Sequence, residues 1–110
     1  MNAILEKLKL QSVVDFCRRW DIVELAVFGS VLRDDFSVQS DIDLLLTFAE
    51  GTQGTLYDYV LMKDEMEKFL GREVDLINRK ALERSKNRLR REEIEQTAKI
   101  VFVEDVAAYA

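Results

Sequence analysis

Two carboxylates, Asp41 and Asp43, stand two residues apart and follow the pair Gly29-Ser30 after ten intervening residues. A third acid, Asp75, interrupts the apolar run Val74-Asp75-Leu76-Ile77. A strand sends successive side chains to opposite faces, so Asp41 and Asp43 can share one face while Ile42 points to the core. Carboxylates that close repel each other unless a cation lies between them. Magnesium suits such a place, because it takes hard oxygen ligands and keeps positions open for water and substrate phosphates. Two such ions, about 3.5–4 Å apart, clamp the attacking and leaving oxygens of an in-line displacement. Asp75, on a neighbouring strand about 5 Å away, would add a third ligand and could take the proton from an attacking hydroxyl.

Gly29 lacks a Cβ, which lets the backbone turn sharply and lets a phosphate approach. Ser30 offers a backbone N–H and a hydroxyl to phosphate oxygens. Val31-Leu32-Arg33 is expected to open a short helix whose start favours an anion. Arg33 would then reach a triphosphate and offset charge in the transition state. Each piece alone has a plainer reading: a turn, a solvated Asp-x-Asp loop, an edge-strand charge, a surface arginine. Together they are harder to dismiss. The Leu44-Leu45-Leu46 run places two acids at the mouth of a core strand, and burying unpaired acids there costs several kcal/mol, which a bound metal would offset.

The elements that must hold these residues can be read around them. Residues 2–20 read as helical, with Leu5, Leu8, Val13, Phe16, Cys17 and Trp20 as the apolar stripe and a possible shift near Gln11-Ser12. Residues 24–28 and 41–48 read as strands. Gly51 to Gly54 is a turn, Thr55 with Asp58 has the pattern of a helix N-cap, and Gly71 suits the stop of the helix between. Residues 73–77 are a third core strand, Asn78 caps a following helix, a last helix spans about 92–98, and residues 99–103 form a final strand. The fold class expected is α+β: a small mixed sheet with helices mainly on one face, as one domain over residues 1–110.

The pattern resembles the nucleotidyltransferase superfamily that includes DNA polymerase beta. The matching residues are Val27-Phe28-Gly29-Ser30, Arg33, Asp35-Phe36, Ser40-Asp41-Ile42-Asp43-Leu44-Leu45 and Val74-Asp75-Leu76. At this length the chain most resembles the minimal nucleotidyltransferases, or MNT proteins, which are often partnered with HEPN-domain proteins as toxin–antitoxin pairs. The likeness covers about residues 10 to 103. One departure is Asp34, where family members often carry Gly after the Arg. The resemblance implies a site of Asp41, Asp43 and Asp75 holding two Mg2+ ions, with ATP on Gly29, Ser30 and Arg33. It also implies AMP transfer to a tyrosine of a HEPN ribonuclease toxin. Two other readings stand beside it: an antitoxin that masks its partner by binding alone, and a nucleotidyltransferase for a small molecule or a nucleic-acid 3′ end.

Composition narrows the field further. At 110 residues the chain has little room for a second substrate-gripping module. The second substrate would therefore be held by a shallow surface, by another subunit in a homodimer or hetero-oligomer, or be a protein with its own docking face. A net charge of −5 argues against broad nucleic-acid binding. With no histidine, His-based acid–base chemistry, Ser-His nucleophiles and His metal ligands are excluded. A single cysteine, Cys17, fits a reducing cytoplasm and a core position. No stretch reads as a signal peptide or a membrane span. Tyr57 or Tyr59 could stack on a base, though core packing is the plainer role. The basic stretch Arg79 to Arg91 reads as a solvated helix with i,i+4 pairs or as a docking surface for an acidic partner or for RNA, with Lys80 near enough to Asp75 to meet a phosphate. Under either reading, charge reversal at Arg88, Arg90 and Arg91 is expected to leave magnesium and nucleotide binding intact.

Overall fold

Two long runs of apolar residues, Ile22–Phe28 (β1) and Ile42–Phe48 (β2), become the central strands of one sheet. The computed structural model describes residues 3–32, 41–52 and 54–104. Among these the sheet has four strands in the order β3-β2-β1-β4, with β3 Val74–Asn78 and β4 Lys99–Val103 at its edges. β1 runs antiparallel to β2 and to β4, whereas β2 and β3 are parallel. Parallel neighbours need a crossover. The 15-residue helix Leu56–Leu70 between β2 and β3 provides it.

The two faces are covered unequally. Helices Ala3–Lys7 (α1), Gln11–Arg19 (α2) and Leu56–Leu70 (α3) precede or bridge the strands. They pack Ile4, Val13, Phe16, Cys17, Met62, Met66 and Leu70 onto Leu25, Val27, Ile42, Leu44 and Leu46. This is the main core, on one face as expected. The opposite face is covered too. Arg79–Glu83 (α4) and Arg88–Thr97 (α5) set Leu82 and Ile94 against Ala26, Phe28 and Leu45. A register shift between Ile22 and Glu24 lets Ile22 and Leu25, an odd number of residues apart, serve the same core.

The expected helix over residues 2–20 is two helices, broken at residues 8–10. Leu8 and Val13 are both buried, yet five residues at 3.6 per turn would turn them about 140° apart on one helix. The break realigns the second stripe with the first. Arg19 then bonds Glu65 on α3 and holds that carboxyl below its usual range, with Trp20 Nε1 donating to the same group at 3.4 Å. α3 begins with a reciprocal capping box: Asp58 N donates to Thr55 Oγ1 at 3.1 Å and Thr55 N to Asp58 Oδ2 at 3.0 Å. It stops at Gly71 in the left-handed region, φ 70°. Asn78 caps α4, accepting from Lys80 N at 2.8 Å. No described helix is long and apolar enough to cross a membrane.

Candidate active site

The end of β1, the start of β2 and the start of β3 meet at one edge of the second face. Alternation sends Asp43 to the side of Leu45 and opposite to Ile42 and Leu44. In the parallel register Asp43 pairs with Asp75, and in the antiparallel register Asp43 pairs with Phe28. Asp41 lies one residue before β2 and, by the same alternation, belongs to the side of Asp43. Asp43 is half-buried, while Asp41 and Asp75 are exposed.

Gly29 closes β1 at φ 80° and opens a one-turn 3-10 helix, Gly29–Leu32. A side chain on it would overlap the Asp43 carboxylate. The short helix expected at Val31 therefore starts two residues earlier and includes Ser30. Arg33, together with Asp35-Phe36, lies outside the described residues.

A cleft of about 640 Å3 opens beside this edge, within the range of small-ligand sites. Phe28, Gly29, Leu32 and Asp43 line the sheet side. Arg90, Glu93, Ile94 and Thr97 of α5 line the other. The α5 wall is absent from the motif-based site, yet its spacing of 90, 93, 94 and 97 is a helical stripe around the buried Ile94. Arg90 therefore cannot be grouped with Arg88 and Arg91. Arg88 Nε pairs with Glu92 at 2.8 Å, as an i,i+4 pair should. Arg91 Nη1 donates to the carbonyls of Glu83 and Ser85, tying down the turn between α4 and α5.

Lys80 stands apart from the acids. It opens onto a separate hollow of about 330 Å3 with Phe48, Thr52 and Tyr59. Phe48 is five residues along β2 from Asp43, or roughly 16 Å at strand rise. Tyr59 packs on Phe48 edge to face, ring centroids 6.0 Å apart, and accepts from Asn78 Nδ2 at 2.9 Å. Tyr57 is exposed. The core role expected for these tyrosines thus holds for Tyr59 alone.

The donor chemistry fits a hard divalent cation. Every candidate ligand is a carboxylate oxygen, and no histidine or accessible cysteine competes to favour a softer metal. As the side chains stand, no three acidic or cysteine groups among the described residues are gathered closely enough to hold an ion. What the backbone supplies is the cross-strand neighbourhood of Asp43 and Asp75 and the alternation that adds Asp41.

The family description "Nucleotidyltransferase domain" matches residues 11–101. The chain belongs to this nucleotidyltransferase family. A solved chain provisionally described as a minimal nucleotidyltransferase is 36% identical, with a TM-score of 0.65, covering 86% of this chain and 93% of its own. The protein adenylyltransferase MntA of Thermococcus cleftensis is 33% identical over 64 residues, covering 58% of this chain and 63% of its own. The chain spans 64%, 70% and 63% of the lengths of three curated relatives it matches. The MNT antitoxin complex with a tri-AMPylated HEPN toxin of Shewanella oneidensis aligns at 14% identity with a TM-score of 0.61. It covers 99% of this chain and 78% of the solved one. At that identity it speaks for the fold of this nucleotidyltransferase.

Proposed function

We propose that this nucleotidyltransferase is a magnesium-dependent protein adenylyltransferase that moves AMP from ATP to a tyrosine hydroxyl of a HEPN-domain ribonuclease toxin, and so acts as its antitoxin. The observation that carries the reading is Asp43, which packs against the Gly29 turn, lines the cleft and has Asp75 as its cross-strand neighbour. The relatives support the choice of nucleotide and acceptor. One is named a protein adenylyltransferase, and another is an antitoxin bound to an AMPylated HEPN toxin.

Asp41, Asp43 and Asp75 would hold two magnesium ions. Bound there, magnesium would supply positive charge to the phosphate oxygens that gain negative charge in the displacement. Gly29, Ser30 and Arg33 would seat the triphosphate. Asp75 would accept the proton of the attacking hydroxyl. The new bond joins that oxygen to the α-phosphorus, the bond from the α-phosphorus to the β-phosphate bridging oxygen breaks, and pyrophosphate leaves with its electron pair. An AMP group on the toxin would add charge and bulk beside its active site. The buried free Cys17 fits a reducing cytoplasm as the place of action.

The test is a reaction of the chain with ATP, magnesium and a candidate HEPN-domain partner, followed by intact mass. One or more AMP masses on the partner, lost with Asp41→Asn/Asp43→Asn, is the expected result. A tight inhibitory complex with no mass change would replace this reading with stoichiometric masking.

A further inference from the structure

The cleft has a cation that the Gly-Ser and Asp-x-Asp motifs do not contain. Arg90 lies on α5 and lines the cleft across from Gly29 and Asp43. Three neighbouring arginines are engaged elsewhere, Arg79 with Glu24, Arg88 with Glu92, and Arg91 with the carbonyls of Glu83 and Ser85, and Arg84 lines the separate hollow with Lys80. The Arg90 guanidinium has no hydrogen-bond or ion-pair partner among the described residues, and its backbone N–H is satisfied separately by Asn87 Oδ1 at 3.1 Å. Glu93 shares the wall without pairing to it.

We propose that Arg90 binds the β- and γ-phosphates of the nucleoside triphosphate. The inference rests on the nucleotidyltransferase reading of the cleft and extends it to a residue on a different element. The acids mark the edge where the α-phosphorus must react. A triphosphate lying across the cleft from there carries most of its charge on the two terminal phosphates, and these form the leaving group. A guanidinium unengaged among the described residues, on the facing wall, presents a rigid fork of N–H donors suited to two phosphate oxygens at once. Arg90 would thus hold the departing pyrophosphate while the aspartates serve the reacting centre.

Equilibrium binding to the full chain tests this, with ATP and AMP titrated in the presence of magnesium. Arg90→Ala is expected to weaken ATP roughly tenfold, in line with loss of a charged hydrogen bond at an exposed site, and to change AMP affinity less than twofold. Arg90→Lys should recover part of the loss, since charge returns without the fork. Arg88→Ala, which removes only the Glu92 pair, should bind both as the wild type does. Circular dichroism of each variant checks that the fold persists. Wild-type ATP affinity in Arg90→Ala, or equal losses for ATP and AMP, would overturn the role of Arg90 and leave the active-site reading standing. Failure of the wild-type chain to bind ATP at all would overturn both.

Discussion

Gly29 and Asp43 approach so closely that a Cβ on the glycine would overlap a carboxylate oxygen of the aspartate and lie 3.2 Å from its carboxyl carbon. The glycine also sits at φ 80°, where an L side chain costs roughly 1–2 kcal/mol. Both effects act against Gly29→Ala. The expected outcome is a melting temperature lower by about 5–10 °C, at 4–8 °C per kcal/mol for a domain near this size. Nucleotide transfer should fall further than stability does, because the carboxylate is displaced in whatever fraction remains folded. Thermal unfolding by circular dichroism and labelling well below the midpoint separate the two effects. An alanine variant with wild-type melting and wild-type transfer would show that the close approach is incidental.

The parallel pairing of Asp43 with Asp75 makes a metal-dependent prediction that needs no partner protein. A cation held only by the native state stabilises it by about 2.7 kcal/mol at one hundred times its dissociation constant. Magnesium should therefore raise the melting temperature of the wild-type chain, and chelation should reverse the rise. Asp43→Asn and Asp75→Asn should each abolish the shift while retaining the fold. Each should also slow AMP transfer by roughly a hundredfold or more, the scale set by losing several kcal/mol of transition-state charge stabilisation. A full magnesium shift in Asp43→Asn/Asp75→Asn would refute the assignment of these acids as ligands.

What could be read from the sequence was local. Thr55 and Asp58 cap one helix and Gly71 ends it because each acts on a backbone group within a few residues. The expectation that Asp41 joins the side of Asp43 rests on strand alternation, which is local as well. Asp75 announced itself as a charge in an apolar run, but its parallel register with Asp43 depends on the return path of α3, which no short spacing encodes. The same limit hid the cleft wall. Arg90 looked equivalent to Arg88 and Arg91, and only the seating of Ile94 against Phe28 and Leu45 decides which arginine turns toward the site. A phase shift was visible near Gln11-Ser12, but not that the chain leaves the helix at residues 8–10, and the cover over the second face required knowing where two short helices pack.

Cys17 gives a prediction in pH. Burial, with a smaller contribution from the charge of Glu104, pushes its thiol from 9.0 up to about 12. Native chain should thus resist alkylation at neutral pH, and denatured chain should react readily. The raised value also couples to stability. Below about pH 9 the thiol is protonated in both states, so its contribution is fully present. Between about 9 and 12 the unfolded thiol ionises and the folded one does not, so stability is lost as pH rises, by about 1.4 kcal/mol per pH unit. Cys17→Ala should flatten that part of the profile relative to wild type, after both are measured by urea unfolding. Parallel profiles would mean that the thiol ionises as easily folded as unfolded.

Arg79 links the sheet to the wall of the cleft. Its guanidinium reaches Glu24 on β1 at 3.1 Å, Thr47 on β2 at 3.2 Å and Glu95 on α5 at 4.0 Å. The Arg79 and Glu24 side chains are each only 24% exposed, so the pair is worth more than an open surface contact, whose typical value is below about 1 kcal/mol. Arg79→Met keeps much of the packing and removes the charge. It should destabilise the chain by about 1–2 kcal/mol, the lower range for hydrogen bonds to charged groups, with an unchanged urea m-value. Because one anchor is on α5, amides of that helix should exchange with solvent faster, beyond the change that global stability accounts for. Arg79→Lys should recover less than half of the loss, since one ammonium cannot span three partners. If Arg79→Met were as stable as wild type and its α5 amides equally protected, the helix would be held by Ile94 and Leu82 alone, and the ion pairs would add nothing to the wall.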